Sequence, residues 1–285
     1  MRRPYRVLTR ALCVGMLAGA AACGVDEPGY PRGFPEAADG DETTASASPT
    51  GAAAAPALTA ERARGALIRQ DDLGGAWSGT EGAATWRDGL LKGRTDRPEC
   101  QELLDAVYAE DLLGEPKGGS AVTGFDDADN GSQLRYQVGA YDRAHIDARF
   151  GHFRQLVDKC AEFTISGLQG REYGAEVTPI GIPDSIGDAR QGLRLVINGD
   201  VDGEDGALTL ALVSVRIGDI AALLTHGGLY GIDDTTTEEA TEAGAARLQD
   251  LLKKQEKKQE KQEKQEKKRS GDATPPPSPS PSATA

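Results

Sequence analysis

The sequence predicts an α+β domain built on an antiparallel sheet, and three observations carry that reading. Apolar residues alternate with period two in several stretches, as in Leu134, Tyr136 and Val138. From Arg143 to Cys160 the spacing changes: Ile146, Phe150, Phe153, Val157 and Cys160 step by 4, 3, 4 and 3, a helical stripe. Between two strand-like runs lies Asp127-Ala128-Asp129-Asn130-Gly131, whose Asn-Gly end is a strong hairpin signal.

Taken in order, the chain begins with Arg2, Arg3, Arg6 and Arg10 and no acid, followed by an apolar run from Ala11 to Gly19. That run is short of the ~20 residues a membrane span needs. Ala20-Ala21-Ala22-Cys23 then supplies the small residues a signal peptidase requires. With Cys23 placed after them the segment resembles a bacterial lipoprotein signal, which implies cleavage before Cys23 and diacylation of its thiol. Ala20 departs from the Leu more common there, and ordinary Ala-x-Ala cleavage is the alternative. Residues 1–22 are therefore expected to be a signal peptide. Residues 23–57, rich in Pro, Gly, Ala, Ser, Thr and acid, are expected to be a disordered tether.

The folded domain is expected over 58–252. Thr59 can cap a short helix whose apolar side is Leu58, Ala63, Leu67 and Ile68. A strand region is predicted over 76–87, bounded by Trp77 and Trp86, residues that mark either buried packing or a ligand cleft. Pro98 suits the first turn of a helix reaching about Ala109, with Cys100, Leu103, Leu104 and Val107 on one face. Strands are predicted over 120–125, 132–141, 162–168, 173–179, 192–197, 207–216 and 220–225. Residues 183–188 and 198–203 are predicted loops. Thr235-Thr236-Thr237-Glu238-Glu239 contains two overlapping capping boxes, and Ala240, Gly244, Leu248, Leu251 and Leu252 give the helix behind them its inward face.

Beyond Leu252 no apolar residue follows until the end of the Lys/Gln/Glu run, and a Pro/Ser-rich end closes the chain. Glu260 and Lys264, and Glu263 and Lys267, are favourable pairs at i,i+4, but Lys254/Lys258, Lys257/Lys261 and Glu256/Glu260 are like-charged. Residues 253–285 are therefore expected to be a low-complexity tail, a frayed helical extension grading into disorder.

Charge and cysteine usage narrow the function. The net charge is −13, yet residues 1–22 carry +4 and residues 253–269 carry +5, so the stretch 58–252 holds about −16. So acidic a domain repels phosphate backbones, and nucleic acid is excluded as an expected partner. Cys13 leaves with the signal and Cys23 takes the lipid. Cys100 and Cys160 remain, bound for an oxidising compartment, and are expected to pair in a single disulfide rather than persist as buried thiols.

No constellation for catalysis emerges. His145 and His152, seven apart, lie two turns from each other, too far to share one metal, and are expected to be solvated; His226 stands alone. No Gly-x-Ser-x-Gly elbow or phosphate loop occurs. Asp126, Asp127 and Asp129 crowd one turn; Asp200, Asp202, Glu204 and Asp205 crowd another, without the Gly and Glu a calcium loop demands. Neither metal nor cofactor is expected.

Leu73-Gly74-Gly75-Ala76-Trp77 after a first helix, Cys100 in a second, Cys160-Ala161-Glu162-Phe163 closing a third, and Ile186-Gly187-Asp188-Ala189 before two long strands resemble the PknH-like extracellular sensor domain. That domain occurs on actinobacterial receptor kinases and on free lipoproteins. The resemblance implies helices on one side of the sheet and a cleft for an unidentified ligand. The receptor-kinase members carry two disulfides where this chain can make one. The expectation is a lipid-anchored protein on the extracytoplasmic face of the cell membrane, sensor-like and non-catalytic, binding a small-molecule or envelope ligand. A cell-wall hydrolase working with carboxylates and a structural envelope protein are the alternatives.

Overall fold

The computed structural model describes residues 58–74, 77–82, 84, 87–167, 170–201 and 204–271. Cys23, the signal, the tether and Trp86 lie outside them. Eight strands form one antiparallel sheet in the order β1-β2-β3-β8-β7-β6-β5-β4. They are β1 (Trp77–Gly79), β2 (Ser120–Asp127), β3 (Ser132–Ala140), β4 (Glu162–Ser166), β5 (Glu172–Ile180), β6 (Ala189–Val201), β7 (Glu204–Ile217) and β8 (Ile220–Gly228). Four α-helices accompany them: α1 (Ala60–Gly65), α2 (Pro98–Ala109), α3 (Arg143–Lys159) and α4 (Asp234–Gly271).

Local chemistry accounts for most boundaries. The Thr59 hydroxyl accepts from Arg62 N at the start of α1, and Asp142 accepts from His145 N at the start of α3. Pro98 opens α2, which ends at Glu110 in a left-handed conformation (φ 61°). That carboxylate is held by Arg87 and Arg135. The β2–β3 hairpin turns through Gly131 at φ 64°, and the Asp127 carboxylate accepts from the Asp129 and Asn130 amides.

Three segments differ from expectation. The described residues of 76–87 hold only the short β1, and from Arg87 the chain makes a single π-helical turn to Leu91 that buries Leu90 and Leu91. Residues 198–201 are not loop: they extend β6, which pairs with β7 as far as Val201 opposite Glu204. The Thr capping boxes are not what starts α4. The Asp233 carboxylate accepts from Thr236 N at 2.9 Å and from the Thr236 hydroxyl at 2.7 Å, because an ionised acceptor outcompetes a neutral hydroxyl.

The expected placement of all helices on one side is corrected by the two cores. On one face α2 and α3 cover Leu193, Leu195, Ile197, Leu208, Leu210 and Leu212. On the opposite face α1 and α4 cover Leu134, Tyr136, Val138, Val213, Val215 and Leu224. The alternation inside β7 makes this possible, since Leu212 and Val213 must point to opposite faces. In α3 the buried stripe is Ile146, Phe150, Phe153 and Leu156, with Val157 only half-buried. Cys100, in the first turn of α2, is bonded to Cys160, which caps α3; both are fully buried, with Cα atoms 5.6 Å apart.

Helix α4 packs through Ala240, Ala245 and Leu248, and Gly244 lies against the Tyr136 ring so closely that an added Cβ would sit 2.5 Å from its hydroxyl. The helix then continues unbroken past Leu252 to Gly271, so residues 253–271 extend it without joining either core. Truncation after Leu252 should leave the melting temperature within about two degrees, because the removed segment adds no apolar side chain to either core. A drop near ten degrees in a calorimetric scan would show that the extension docks. None of the described helices is long and apolar enough to cross a membrane.

Candidate functional site

The N-terminal end of α4 sits between two depressions. The first is an open groove of about 1100 Å³ between the β2–β3 turn and the 230–239 segment. Its inner wall is Trp77 on β1 and His226 near the end of β8, with ring centroids 5.6 Å apart in an edge-to-face arrangement. Tyr230 stands at the rim, 86% exposed. The remaining charged lining is Asp127, Asp129, Asp233 and Glu239, all acidic.

His226 is the group that sequence reasoning missed. It pairs with Leu134 on β3 and Ala211 on β7, so it occupies a core position on the α4 face of the sheet and is only 1% exposed. Nδ1 lies 2.8 Å from the Thr237 hydroxyl, which itself donates to the Asp233 carbonyl at 3.3 Å. In that arrangement the imidazole donates from Nδ1 and keeps a lone pair on Nε2. Nε2 is buried and has no partner among the described residues. Burial pushes the His226 pKa down to about 4, against the opposing pull of Asp233, Asp127 and Asp234. The ring is therefore neutral at physiological pH, an acceptor inside an acidic groove.

Asp233 is shifted in the same direction, which for a carboxyl favours the charged form. Hydrogen bonds from the Thr236 side chain and backbone hold its carboxyl below the usual range. It stays ionised, as a cap and as a fixed negative charge.

The second depression, about 430 Å³, lies against the opposite flank of α4. Ile180, Ile182, Pro183, Ile186 and Val213 form an apolar wall, Thr178, Glu238, Thr241 and Glu242 add polar groups, and Arg194 pairs with Asp234. Thr237 lines this cleft while its hydroxyl touches His226 of the groove. The first turn of α4 thus separates the two, with Thr236 lining the groove and Thr237 the cleft.

Other predicted residues stay apart from this region. His145 is exposed on α3, with Nε2 3.2 Å from the Leu113 carbonyl, and His152 is half-buried beside Glu102 at 3.5 Å. Asp200 and Glu204, by contrast, fall in the β6–β7 hairpin, at the end of the sheet where Ala207 bridges Tyr230 of the groove rim. Among the described residues no group of three His, Cys, Asp or Glu side chains could hold a metal. Trp77 is buried, as packing predicts, yet it also lines the groove.

No family model matches the chain, and no curated protein matches it. Among solved structures it is similar to the extracellular domain of PknH from Mycobacterium tuberculosis, with a TM-score of 0.39 and 14% identity over 70% of this chain and 99% of that one. The resemblance read from short sequence motifs is thus met by a weak likeness of fold, without support from sequence. At that level it assigns neither family nor ligand.

Proposed function

We propose that the chain is a lipid-anchored extracytoplasmic protein that binds a cationic ligand, such as a protonated amine, in the Trp77–His226 groove and does not transform it. The observation that carries the reading is the His226 Nε2, a buried acceptor without a donor, lining a groove whose charged residues are all acidic. A buried polar atom left unpaired costs about 1–3 kcal/mol, which a ligand N–H would recover. Trp77 adds an aromatic surface beside it, and Tyr230 stands ready at the rim. The depressed Asp233 carboxyl favours binding over hydrolysis, since a general acid needs a carboxyl raised in pKa rather than lowered. The lipobox at Ala20-Ala21-Ala22-Cys23 supports the anchor.

Native mass spectrometry of the protein extracted from its own membrane tests both parts. The protein mass should correspond to a chain beginning at Cys23 with acyl groups attached, and should include a retained amine-bearing ligand. Trp77→Ala and His226→Leu should each weaken that retention about tenfold or more, the scale expected of a binding hot spot. A chain that retains nothing and binds no amine from an envelope extract overturns the ligand reading. Turnover of a glycan, peptide or ester substrate that is abolished by replacing Asp127 or Asp233 would establish the hydrolase instead.

A further inference from the structure

A different depression lies on the far part of α4. It has a volume of about 350 Å³ and is walled by α1 and its following turn on one side and by residues 247–258 on the other. Its chemistry is the inverse of the acidic groove. Arg62 and Arg69 contribute from the first wall, Lys254 and Lys258 from the second, and Asp250 is the single carboxylate lining it among the described residues. Arg247 also lines it but is neutralised by two hydrogen bonds to Asp72, at 2.9 and 2.8 Å.

Two donors there have no acceptor. Arg62 Nη1 and Gln255 Nε2 are both buried and unpartnered among the described residues. Arg62, Lys254 and Lys258 form no ion pair with any described residue. Lys254 and Lys258 stand at i,i+4, where like charges repel. Unsatisfied donors and converging cations in one cavity describe a site missing its anion.

We propose that this cavity binds a phosphate-class oxyanion. A tetrahedral phosphate offers acceptor oxygens in several directions at once, which a guanidinium on one wall and an amide and two ammonium groups on the other can each meet. A planar carboxylate would satisfy fewer of them. The chemistry is common to free phosphate and to the phosphodiester of an anionic lipid headgroup, and the two sources are separable by experiment.

The test uses the full-length chain in non-ionic detergent at low ionic strength. Calorimetric titration with inorganic phosphate should show one site, weakening as salt is added. Arg62→Gln and Lys258→Gln should each reduce affinity about tenfold, equivalent to the loss of one charge-assisted contact. Lys258 lies beyond the cores, so K258Q keeps the fold and serves even if R62Q does not. Flotation with phosphatidylglycerol or phosphatidylcholine vesicles separates the sources. An excess on phosphatidylglycerol that disappears in K258Q, without binding of inorganic phosphate, assigns the headgroup. Absence of both responses, or responses indifferent to both substitutions, overturns the proposal.

Discussion

Replacing Cys100 and Cys160 together with alanine is expected to lower the unfolding free energy by about 4 kcal/mol, the loop-closure value for a bridge of this span. The bonded residues are 60 positions apart, so the link restrains a long segment of the unfolded chain. The native junction is held independently, which places the loss mainly in the unfolded state. Arg97 donates to the Glu162 carbonyl at 2.6 Å, and Lys159 pairs with Glu99 at 3.0 Å across the same two helices. Urea denaturation of the native protein with and without reductant measures the effect. The reduced native protein and the double-alanine variant should unfold at nearly the same urea concentration. A loss below about 1 kcal/mol would mean that the reduced, unfolded chain is already compact.

Acidification is the second large lever. His226 is depressed to about 4 from an ordinary 6.5, so the unfolded chain takes up a proton before the folded one does. Its contribution is complete above pH 6.5 and is lost as pH falls from 6.5 towards 4. A shift of that size corresponds to about 3 kcal/mol. Asp233 and Asp72, both depressed, act in the opposite part of the scale, losing their contribution only below the ordinary carboxyl range. Stability measured by denaturant at pH 7, 6, 5 and 4 should therefore begin to fall well before the carboxylates protonate. His226→Asn keeps a donor for Thr237 and removes the titration. It should be less stable at pH 7 but flatter between pH 6.5 and 4. An unchanged slope in H226N would assign the acid sensitivity elsewhere.

Much of the fold was legible because its signals are local. Pro98 opens α2 and Arg143 opens α3 as predicted, and the Asn130-Gly131 turn lies where the dipeptide indicated. The disulfide followed from cysteine number and from both cysteines lying on apolar helix faces. The division of helices between two faces was not legible, because Leu212 and Val213 are equally apolar and a strand buried on both sides has no polar face to orient it. The groove was hidden for another reason. It joins Trp77, the 127–132 turn and residues 226–239, which only the β1-β2-β3-β8 order brings together. A faint signal did exist: His226 follows directly on the apolar run Ile220–Leu224 and Thr225 of β8, and a polar ring at the end of such a strand must find a hydrogen bond or a function.

The strand order also limits how the sheets of two copies could join. The two rims of the sheet are its two shortest strands, β1 with three residues and β4 with five. The 13- and 14-residue β6 and β7 lie inside the sheet, whereas β1 pairs with β2 only over Phe125–Asp127 and β4 with β5 only over Glu172–Glu176. The β4 rim is further occupied where Arg94 and Ser166 exchange backbone hydrogen bonds at 2.8 and 2.6 Å. A foreign strand seeking unpaired amides thus finds only short stretches to zip onto. Copies of the chain brought close together therefore have little open edge through which their sheets could join into a continuous ribbon.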